Sequence, residues 1–482
     1  MLPEIRVYNT LTRTMEKITP VEPGLVKMYV CGPTVYDSTH VGHGRAYVMY
    51  DVFKRYLNIR GYHVFHVMNI TDIDDKIINR SKEEGRDWLE IVETYTREYM
   101  EALNHLNVKV DHHPRVTQHV SEIIEFIQKL IEKGYAYVAP SGSVYFDVNT
   151  YEDYGRLSGR LSKETWSQEP DFLSEKKNPY DFALWKAAKP GEPYWESPWG
   201  RGRPGWHIEC SVMSSKYLGE RFDIHGGGTD LIFPHHENER AQSEAALGSR
   251  PWVSIWMHVG MLMVGADKMS KSLKNIVPIK EAVNKWGGKT LRFWYLMSHY
   301  RKPVSFSEES LRIASEQLKR LNQASALLQK LGKEAVDPHK ASDEDIKILK
   351  KLIKIHYDFH TALSEDFNTP EAVASLNEFT TIVFRDIQYN PKYVLVNTAL
   401  RIISEFDSVL GVLETPFEAV TGEEDVDSYI RILVDVRREL RERRLYDLAD
   451  MIRSELGKLG VVLSDKGAET TWIRVKKQIA KS

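Results

Sequence analysis

Cysteine is the scarcest residue of this sequence, since Cys31 and Cys210 are the only two among 482 residues. This count excludes a disulfide framework and is typical of a reducing compartment, so we expect a cytoplasmic enzyme. Long apolar runs are also missing, and no stretch has the length that spans a membrane. The first thirty residues carry charges where a signal sequence would be apolar, so we expect no membrane partner.

A strong net charge is absent too. Lys and Arg number 65 against 68 Asp and Glu, which gives a formal charge of -3. The chain as a whole is therefore not a polycation that coats nucleic acid, and any RNA contact must come from a local patch. At roughly 150 residues per domain, the length predicts about three domains.

The N-terminal part carries the pattern of a βαβ unit. Residues 25–30 are short, apolar and β-prone, and they stop shortly before a Gly-Pro pair. A helical pattern begins near His40, and residues 62–69 predict the next strand. The acidic stretch 71–75 favours a loop and helix cap over a metal site.

A proline-rich stretch then interrupts this pattern. Residues 111–206 change periodicity, and four prolines fall within fifteen residues near their end. This composition predicts an insertion with irregular connections. After it, a strand at 221–224 runs into a glycine triplet at 226–228, and Pro234 stands where a helix would start. The α/β pattern thus resumes.

The C-terminal part is predominantly helical. Beyond Ser305, apolar residues recur every three or four positions, at Leu311, Ala314, Leu318, Leu321, Ala324, Leu328 and Leu331. Ser305 and Glu308 predict a capping box for this helix, and similar patterns over 343–413 predict a helical bundle. Residues 431–482 hold 13 basic and 8 acidic side chains, so this last segment is locally basic.

Two short motifs are candidates for phosphate chemistry. His40-Val41-Gly42-His43 lies at a helix start, which attracts anions through free N–H groups, and Gly42 leaves room for a flat ligand. Lys268-Met-Ser-Lys271-Ser carries two ammonium groups on a predicted mobile loop that could close over a polyphosphate. Alone, each motif fits a bland alternative equally well: two polar histidines at a helix start, and a solvated lysine loop.

A candidate metal set involves both cysteines. His235 and Glu239 are four residues apart on one predicted helix, so they project from the same face. Cys31 and Cys210 end or follow strand-like segments of the same α/β domain. Two thiolates, an imidazole and a carboxylate form a plausible tetrahedral Zn²⁺ set. The alternative is that the cysteines are small buried apolar residues and His235 caps a helix.

Taken together, the motifs resemble a known enzyme family. The H-V-G-H and K-M-S-K-S motifs, some 225 residues apart, resemble the two signatures of class I aminoacyl-tRNA synthetases. Longer phrases resemble the cysteinyl-tRNA synthetases in particular, and they occupy residues 31–37, 69–76, 205–210, 225–239 and 366–370. The resemblance runs from about residue 30 to residue 472.

This resemblance implies a role for each matched residue. His40 and His43 would contact ATP phosphates, and Lys271 with Lys268 would stabilise the departing pyrophosphate. The implied zinc ligands are Cys31, Cys210, His235 and Glu239, and the implied cysteine pocket contains Thr71, Trp206 and His225. The expected ATP-binding set is His40, Gly42, His43, Gly226, Gly227, Gly228, Asp230 and Lys271. Tyr446 and Trp472 are candidates to stack on unpaired tRNA bases, or else to pack in a small core.

The implied fold class is α/β. We expect a Rossmann-type nucleotide-binding catalytic domain split by an insertion, followed by an α-helical bundle and a small anticodon-binding domain. The expected boundaries are 1–112 for the first catalytic half, 113–205 for the connective insertion, 206–264 for the second catalytic half with the zinc site, 265–305 for the K-M-S-K-S loop and stem-contact region, 306–415 for the tRNA-binding bundle and 428–482 for the anticodon-binding domain.

The implied activity joins cysteine to tRNA(Cys). Cysteine and ATP, with Mg²⁺, would form an adenylate and pyrophosphate, and the 2′-OH of the tRNA's terminal ribose would then accept the cysteine. One zinc ion per chain and a monomer are expected. Two alternatives stay open: a cysteine ligase of mycothiol synthesis, which lacks a full anticodon-binding end, and a catalytically silent RNA-binding relative.

Overall fold

The computed structural model describes residues 2–166, 168, 173–264, 267–268, 276–334, 342–414, 433–434, 437–438, 440–441, 446–458, 461–466 and 469–474. Contacts divide the chain into two compact units, Met1–Glu414 and Thr415–Ser482. Within the described residues, every helix is too short or too polar to cross a membrane.

The described strands and helices follow one another in this order. The strands are β1 (Arg6–Asn9), β2 (Thr14–Lys17), β3 (Leu25–Val30), β4 (His63–Met68), β5 (Ala136–Val138), β6 (Val144–Phe146), β7 (Phe182–Ala187), β8 (Gly202–Pro204), β9 (Phe222–Gly228), β10 (Val253–Val259), β11 (Leu262–Val264), β12 (Asp267–Lys268), β13 (Val304–Phe306), β14 (Val461–Lys466) and β15 (Glu469–Arg474). The helices are α1 (Val41–Ile59), α2 (Asp75–Glu84), α3 (Trp88–His105), α4 (Val120–Glu132), α5 (Trp206–Leu218), α6 (Glu237–Leu247), α7 (Ile279–Trp286), α8 (Gly288–Leu296), α9 (Glu308–Glu334), α10 (Asp343–Ser364), α11 (Thr369–Ile382), α12 (Tyr393–Leu410) and α13 (Tyr446–Lys458).

Four parallel strands form the centre of the first unit, in the order β10-β9-β3-β4. Strands covered on both faces are apolar along their length, and most of β3 is buried accordingly. The chain leaves β3 through α1 to β4 on one side, and leaves β9 through α6 to β10 on the other. The crevice where such strands diverge is where open α/β sheets bind ligands. Cys31 directly follows β3 at this point.

The predicted insertion is confirmed as a departure from the parallel pattern. Strands β5, β6, β7 and β8 form a separate antiparallel sheet in sequence order. Its buried side chains share one apolar core with α4, α5 and α6. The insertion is therefore packed against the second half of the parallel domain.

The predicted bundle is also confirmed, and it packs on helices of the parallel domain. All seven apolar positions of the α9 stripe are buried, and α9 and α12 contact α8 and α1. Asp366 joins the two regions, because its carboxylate accepts hydrogen bonds from the Tyr8 N–H (2.9 Å), the Tyr300 hydroxyl (2.7 Å) and the Arg301 guanidinium (2.6 Å). The 366–370 phrase is thus a structural joint, with Asn368 as the N-cap of α11.

Three local expectations were wrong. Ser305 lies in β13, paired with Met263, so it is Ser307 that caps α9, with a hydroxyl that accepts from the Ser310 N–H in the first turn at 3.2 Å. Cys210 lies inside helix α5. The strand predicted at 221–224 extends further, because the glycines 226–228 are the last residues of β9 and pair with β10. Pro234, in contrast, stands where predicted, because Phe233 is extended and the backbone after it is helical and leads into α6.

The second unit is small. Its described part contains α13 and the antiparallel hairpin of β14 and β15. Val434, Leu456, Val461 and Leu463 form its buried core, and Ile452 and Trp472 pack against it.

Candidate active site

A cavity of about 340 Å³ lies at the carboxyl ends of β3 and β9. Its lining includes His40, Gly42 and His43 in one part and Cys31, Cys210 and His235 in another. The structure therefore brings the first signature motif and three of the four predicted metal ligands to one cavity. Neither the sheet order nor this proximity was visible in the spacing of the residues.

The histidine motif forms the start of helix α1. His40 is the N-cap, and its Nδ1 accepts a hydrogen bond from the His43 N–H at 3.3 Å. The two rings stack with their centroids 3.6 Å apart. A side chain at Gly42 would press against the His40 ring, since its Cβ would lie 3.0 Å from two ring atoms. Glycine thus lets the two imidazoles lie beside the helix N-terminus without a tight contact to the His40 ring.

The predicted metal ligands converge at the end of strand β3. One ligand atom from each of Cys31, Cys210, His235 and Glu239 lies within 4.8 Å of the other three. The two Sγ atoms are 3.8 Å apart, Cys31 Sγ is 3.5 Å from Glu239 Oε1, and His235 Nε2 is 2.9 Å from the same oxygen. Tetrahedral zinc with Zn–S bonds of about 2.3 Å places two sulfurs about 3.8 Å apart. The residues therefore fit a zinc ion in donor type and in separation.

The charges of this cluster also favour a cation. Burial opposes a thiolate at Cys210, but hydrogen bonds with Cys31 and His235 outweigh it and lower its pKa to about 6. Burial opposes a charged imidazole, yet Glu239 and Cys210 raise the pKa of His235 to about 10. Burial raises the pKa of the Cys31 thiol well above its usual value. Buried groups so close together are stable only when paired or bound to a metal.

A second set shares two of these ligands. Cys31, His225, His236 and Glu239 also lie within 4.8 Å of one another. His236 is fully buried, with its Nε2 3.3 Å from Cys31 Sγ and its Nδ1 2.8 Å from His258 Nε2. Neither His225 nor His236 lines the cavity. The first set is therefore the one that a ligand in the cavity would meet.

His225 has a different place from the predicted one. It is fully buried behind Glu239, and its Nε2 lies 2.8 Å from Glu239 Oε2. The opposite oxygen, Oε1, is the one near Cys31 and His235. His225 thus orients a candidate ligand and does not reach the cavity, because strand β9 places it below the carboxylate.

Thr71 and Trp206, the other two residues of the implied cysteine pocket, both line the cavity. Trp206 stacks on the His235 ring at 4.3 Å, and the Thr71 hydroxyl donates to Glu209 Oε2 at 3.0 Å. Burial raises the pKa of Glu209 well above its usual value. The sequence interpretation did not assign a role to Glu209 or to Asn69, whose Nδ2 donates to Thr71 Oγ1 at 3.1 Å. Both lie within ranges that resemble the cysteinyl-tRNA synthetases, 69–76 and 205–210, and this resemblance was the signal that could have identified them.

Lys76 was also missed. It lines the cavity, and its Nζ lies 5.6 Å from the Trp206 ring centroid and 5.7 Å from that of Tyr36. Its position on the first turn of α2 follows from the predicted cap, since Asp74 accepts from the Lys76 N–H at 2.9 Å. An ammonium group therefore faces the pocket between two aromatic rings.

Most of the other described residues expected to bind the nucleotide lie at the cavity, and one does not. Gly227, Gly228 and Asp230 line the cavity, whereas Gly226 does not. A side chain at Gly226 would overlap the buried Tyr50 hydroxyl. The absence of a side chain therefore leaves room for Tyr50 at Gly226 and for a ligand at Gly227 and Gly228.

The second signature motif is described only in part. The backbone of Lys268 lies in strand β12, paired with Met263, and Lys271 lies outside the described residues. Of the two aromatic candidates in the second unit, Trp472 is partly buried against the small core, while Tyr446 is 55% exposed. Packing thus already occupies Trp472.

Comparison with known proteins gives matching results over the whole chain. The model of the class I (C) tRNA synthetase catalytic domain matches residues 17–316, and that of the DALR domain matches residues 358–414. A cysteine-tRNA ligase of Staphylothermus marinus is 66% identical over 98% of this chain and 99% of its own. A cysteine-tRNA ligase of Aeropyrum pernix is 57% identical over 98% of this chain and 100% of its own.

Solved structures share the fold at low identity. Methionyl-tRNA synthetase of Mycobacterium tuberculosis, in complex with methionyl-adenylate, has a TM-score of 0.60 and 16% identity over 80% of this chain and 92% of its own. LeuRS of Agrobacterium radiobacter, in a ternary complex with tRNA and LeuAMS, has a TM-score of 0.62 and 12% identity over 82% of this chain and 84% of its own.

The fold and the matched catalytic domain define the class I tRNA synthetases, which confirms the predicted fold class. Identity of this level over nearly the full length narrows the class further. The chain belongs to the cysteine-tRNA ligase family.

Proposed function

We propose that this chain activates cysteine with ATP and transfers it to the terminal ribose of tRNA(Cys). The observation that carries the proposal is the convergence of Cys31, Cys210, His235 and Glu239 within 4.8 Å beside the cavity that His40 and His43 also line. The first group suits a thiol substrate, and the second suits a polyphosphate. Family membership supports the same conclusion.

Activation needs no nucleophile from the protein. The cysteine carboxylate attacks the α-phosphate of ATP in line, so the enzyme must align the two and neutralise charge on pyrophosphate. His40 and His43, at the N-terminus of α1, are placed to hold phosphate oxygens. We assign Lys268 and Lys271 to the charge that develops on the leaving group, and Mg²⁺ to ATP. The ribose hydroxyl of tRNA then attacks the adenylate.

Selection of cysteine requires more than a pocket of the right size. Shape alone separates close analogues by about 1 to 3 kcal/mol. Bound by the two thiolates, His235 and Glu239, Zn²⁺ would supply a soft Lewis acid that favours a thiolate over the hydroxyl of serine. Trp206 stacks on His235 and so fixes one wall of the pocket. His225 holds Glu239 in place.

The finer assignments of domains and partners are part of this proposal. We assign tRNA binding to the bundle and anticodon recognition to residues 428–482, with Tyr446 as the more available aromatic. The scarcity of cysteine supports a cytoplasmic location. We also propose a monomer with one catalytic zinc ion. We prefer this function to the cysteine ligase of mycothiol synthesis, because both cysteine-tRNA ligases match 98% of this chain, including the bundle and the terminal segment.

Adjacent histidines provide a sharp test of the metal assignment. We expect His235→Ala to lose zinc and cysteine-dependent pyrophosphate exchange, while His236→Gln, the matched control, retains both. Zinc content is measured after dialysis, and folding is checked by circular dichroism. Full zinc content and full selectivity for cysteine over serine in folded His235→Ala would contradict the assignment. Loss of zinc only in His236→Gln would favour the second ligand set.

A further inference from the structure

A second cluster of metal-ligating side chains lies in the helical bundle. His356 and His360 stand one turn apart on α10, and Glu405 faces them from α12. His356 Nε2 lies 3.0 Å from Glu405 Oε2, and His360 Nε2 lies 2.8 Å from Glu405 Oε1. The two Nε2 atoms are 3.2 Å apart. None of the three residues lines the active-site cavity.

The separations match those of ligands around one ion. Two nitrogens bound to zinc at about 2.0 to 2.1 Å, at a tetrahedral angle, lie about 3.3 Å apart. The contact between the two Nε2 atoms is a hydrogen bond when only one of them carries a hydrogen, and a cation shared by both lone pairs would replace it. Imidazole and carboxylate are donors that zinc and its neighbours in the first transition row prefer.

The surroundings hold these side chains in place. His360 is fully buried, and its carbonyl accepts a hydrogen bond from Tyr56 of α1 at 2.9 Å. Next to the histidines, Phe359 stacks on Phe406 with centroids 3.9 Å apart, which fixes α10 against α12. The side chains of His356 and Glu405 are 29% and 36% exposed, so an ion and its waters have access.

We propose that His356, His360 and Glu405 bind one divalent transition-metal ion of the zinc or cobalt type. Three protein ligands leave at least one position for water. The ion would join α10 to α12 beside their contact with α1, and so stiffen the bundle where it meets the catalytic domain. This proposal does not depend on the proposed function, because the two sites share no residue.

Cobalt distinguishes the two sites in the full-length protein. Metal-free protein is titrated with Co²⁺ at neutral pH, and bound cobalt is counted while the visible and near-ultraviolet spectra are recorded. A site with thiolates gives sulfur-to-cobalt charge-transfer absorption, and a site with nitrogen and oxygen ligands does not. We expect two cobalt ions per chain in the wild type, and in His356→Ala one ion with the charge-transfer band intact. His63→Ala, a change of an exposed histidine elsewhere, should keep both ions.

Glu405→Gln guards against a trivial folding effect. It keeps the shape of the side chain and removes the charge, and we expect it to bind one ion as His356→Ala does. The wild type should also gain more thermal stability from Co²⁺ than either bundle variant, because each variant keeps only the ion at the thiolate site. A single cobalt ion in the wild type, with unchanged stoichiometry in both variants, would overturn the proposal and leave an ion-pair clamp. Loss of the sulfur-to-cobalt band in either variant, with one ion still bound, would instead contradict the assignment of Cys31 and Cys210 as metal ligands.

Discussion

His225 provides a quantitative test of how the metal site is supported. Its buried Nε2 lies 2.8 Å from Glu239 Oε2, and its ring stacks on Trp256 at 4.7 Å. His225→Ala would leave that carboxylate oxygen buried without its partner. Loss of a hydrogen bond that orients a ligand weakens metal affinity about 10- to 100-fold, which is about 1.4 to 2.7 kcal/mol. We therefore expect zinc affinity to fall by this factor.

The assay is competition with a chelator of known zinc affinity. His225→Gln is the matched control, since its amide can still donate, and we expect it to recover most of the loss. The kcat/KM for cysteine in pyrophosphate exchange should fall in parallel, while the KM for ATP stays close to its wild-type value. Equal zinc affinity in folded His225→Ala and wild type would refute the reasoning.

Three further predictions concern the core and the nucleotide site. Burial favours the neutral form of Asp51, but Arg292 outweighs burial and lowers the pKa of the Asp51 carboxyl group. The stability that this ion pair contributes is present above a pH of about 3.9 and is lost as the pH falls through the lowered pKa. Asp51→Asn should therefore lower the free energy of unfolding, measured with denaturant at pH 7, by about 3 to 5 kcal/mol. It should also weaken the loss of stability at acid pH. His43→Ala and Lys271→Ala should slow adenylate formation about 10²-fold or more with cysteine binding retained; equal loss of both would contradict their roles. Gly226→Ala should lower the free energy of unfolding by about 1 to 3 kcal/mol. An unchanged melting temperature would show that strand β9 shifts enough to accommodate the added methyl group.

The sequence predicted those features that rest on local patterns. Strand β3 has the predicted bounds, and the apolar stripe of α9 is buried as its spacing requires. The bundle and the insertion were also predicted correctly. In each case the period of the apolar residues or the density of proline reports directly on burial or irregularity.

Features that depend on pairing between distant segments were not predictable. Ser305 has the spacing of a helix cap, yet it pairs with Met263 in a strand, and Ser307 accepts the Ser310 N–H in the first turn of α9 instead. The strand placement of His225 likewise puts it behind Glu239 and out of the cavity. The matched range 225–239 contains both His225 and Glu239, but the sequence does not show how deeply each side chain is buried. Periodicity cannot show which face of a strand lies under a neighbouring helix.

The most direct test of the central claim is transfer of labelled cysteine to unfractionated tRNA in the presence of ATP and Mg²⁺, with labelled serine in parallel. The account predicts ATP-dependent charging with cysteine and none above background with serine. Equal charging with both amino acids would contradict selection by the thiol site. Cysteine-dependent pyrophosphate exchange without transfer to any tRNA would contradict the proposed acceptor.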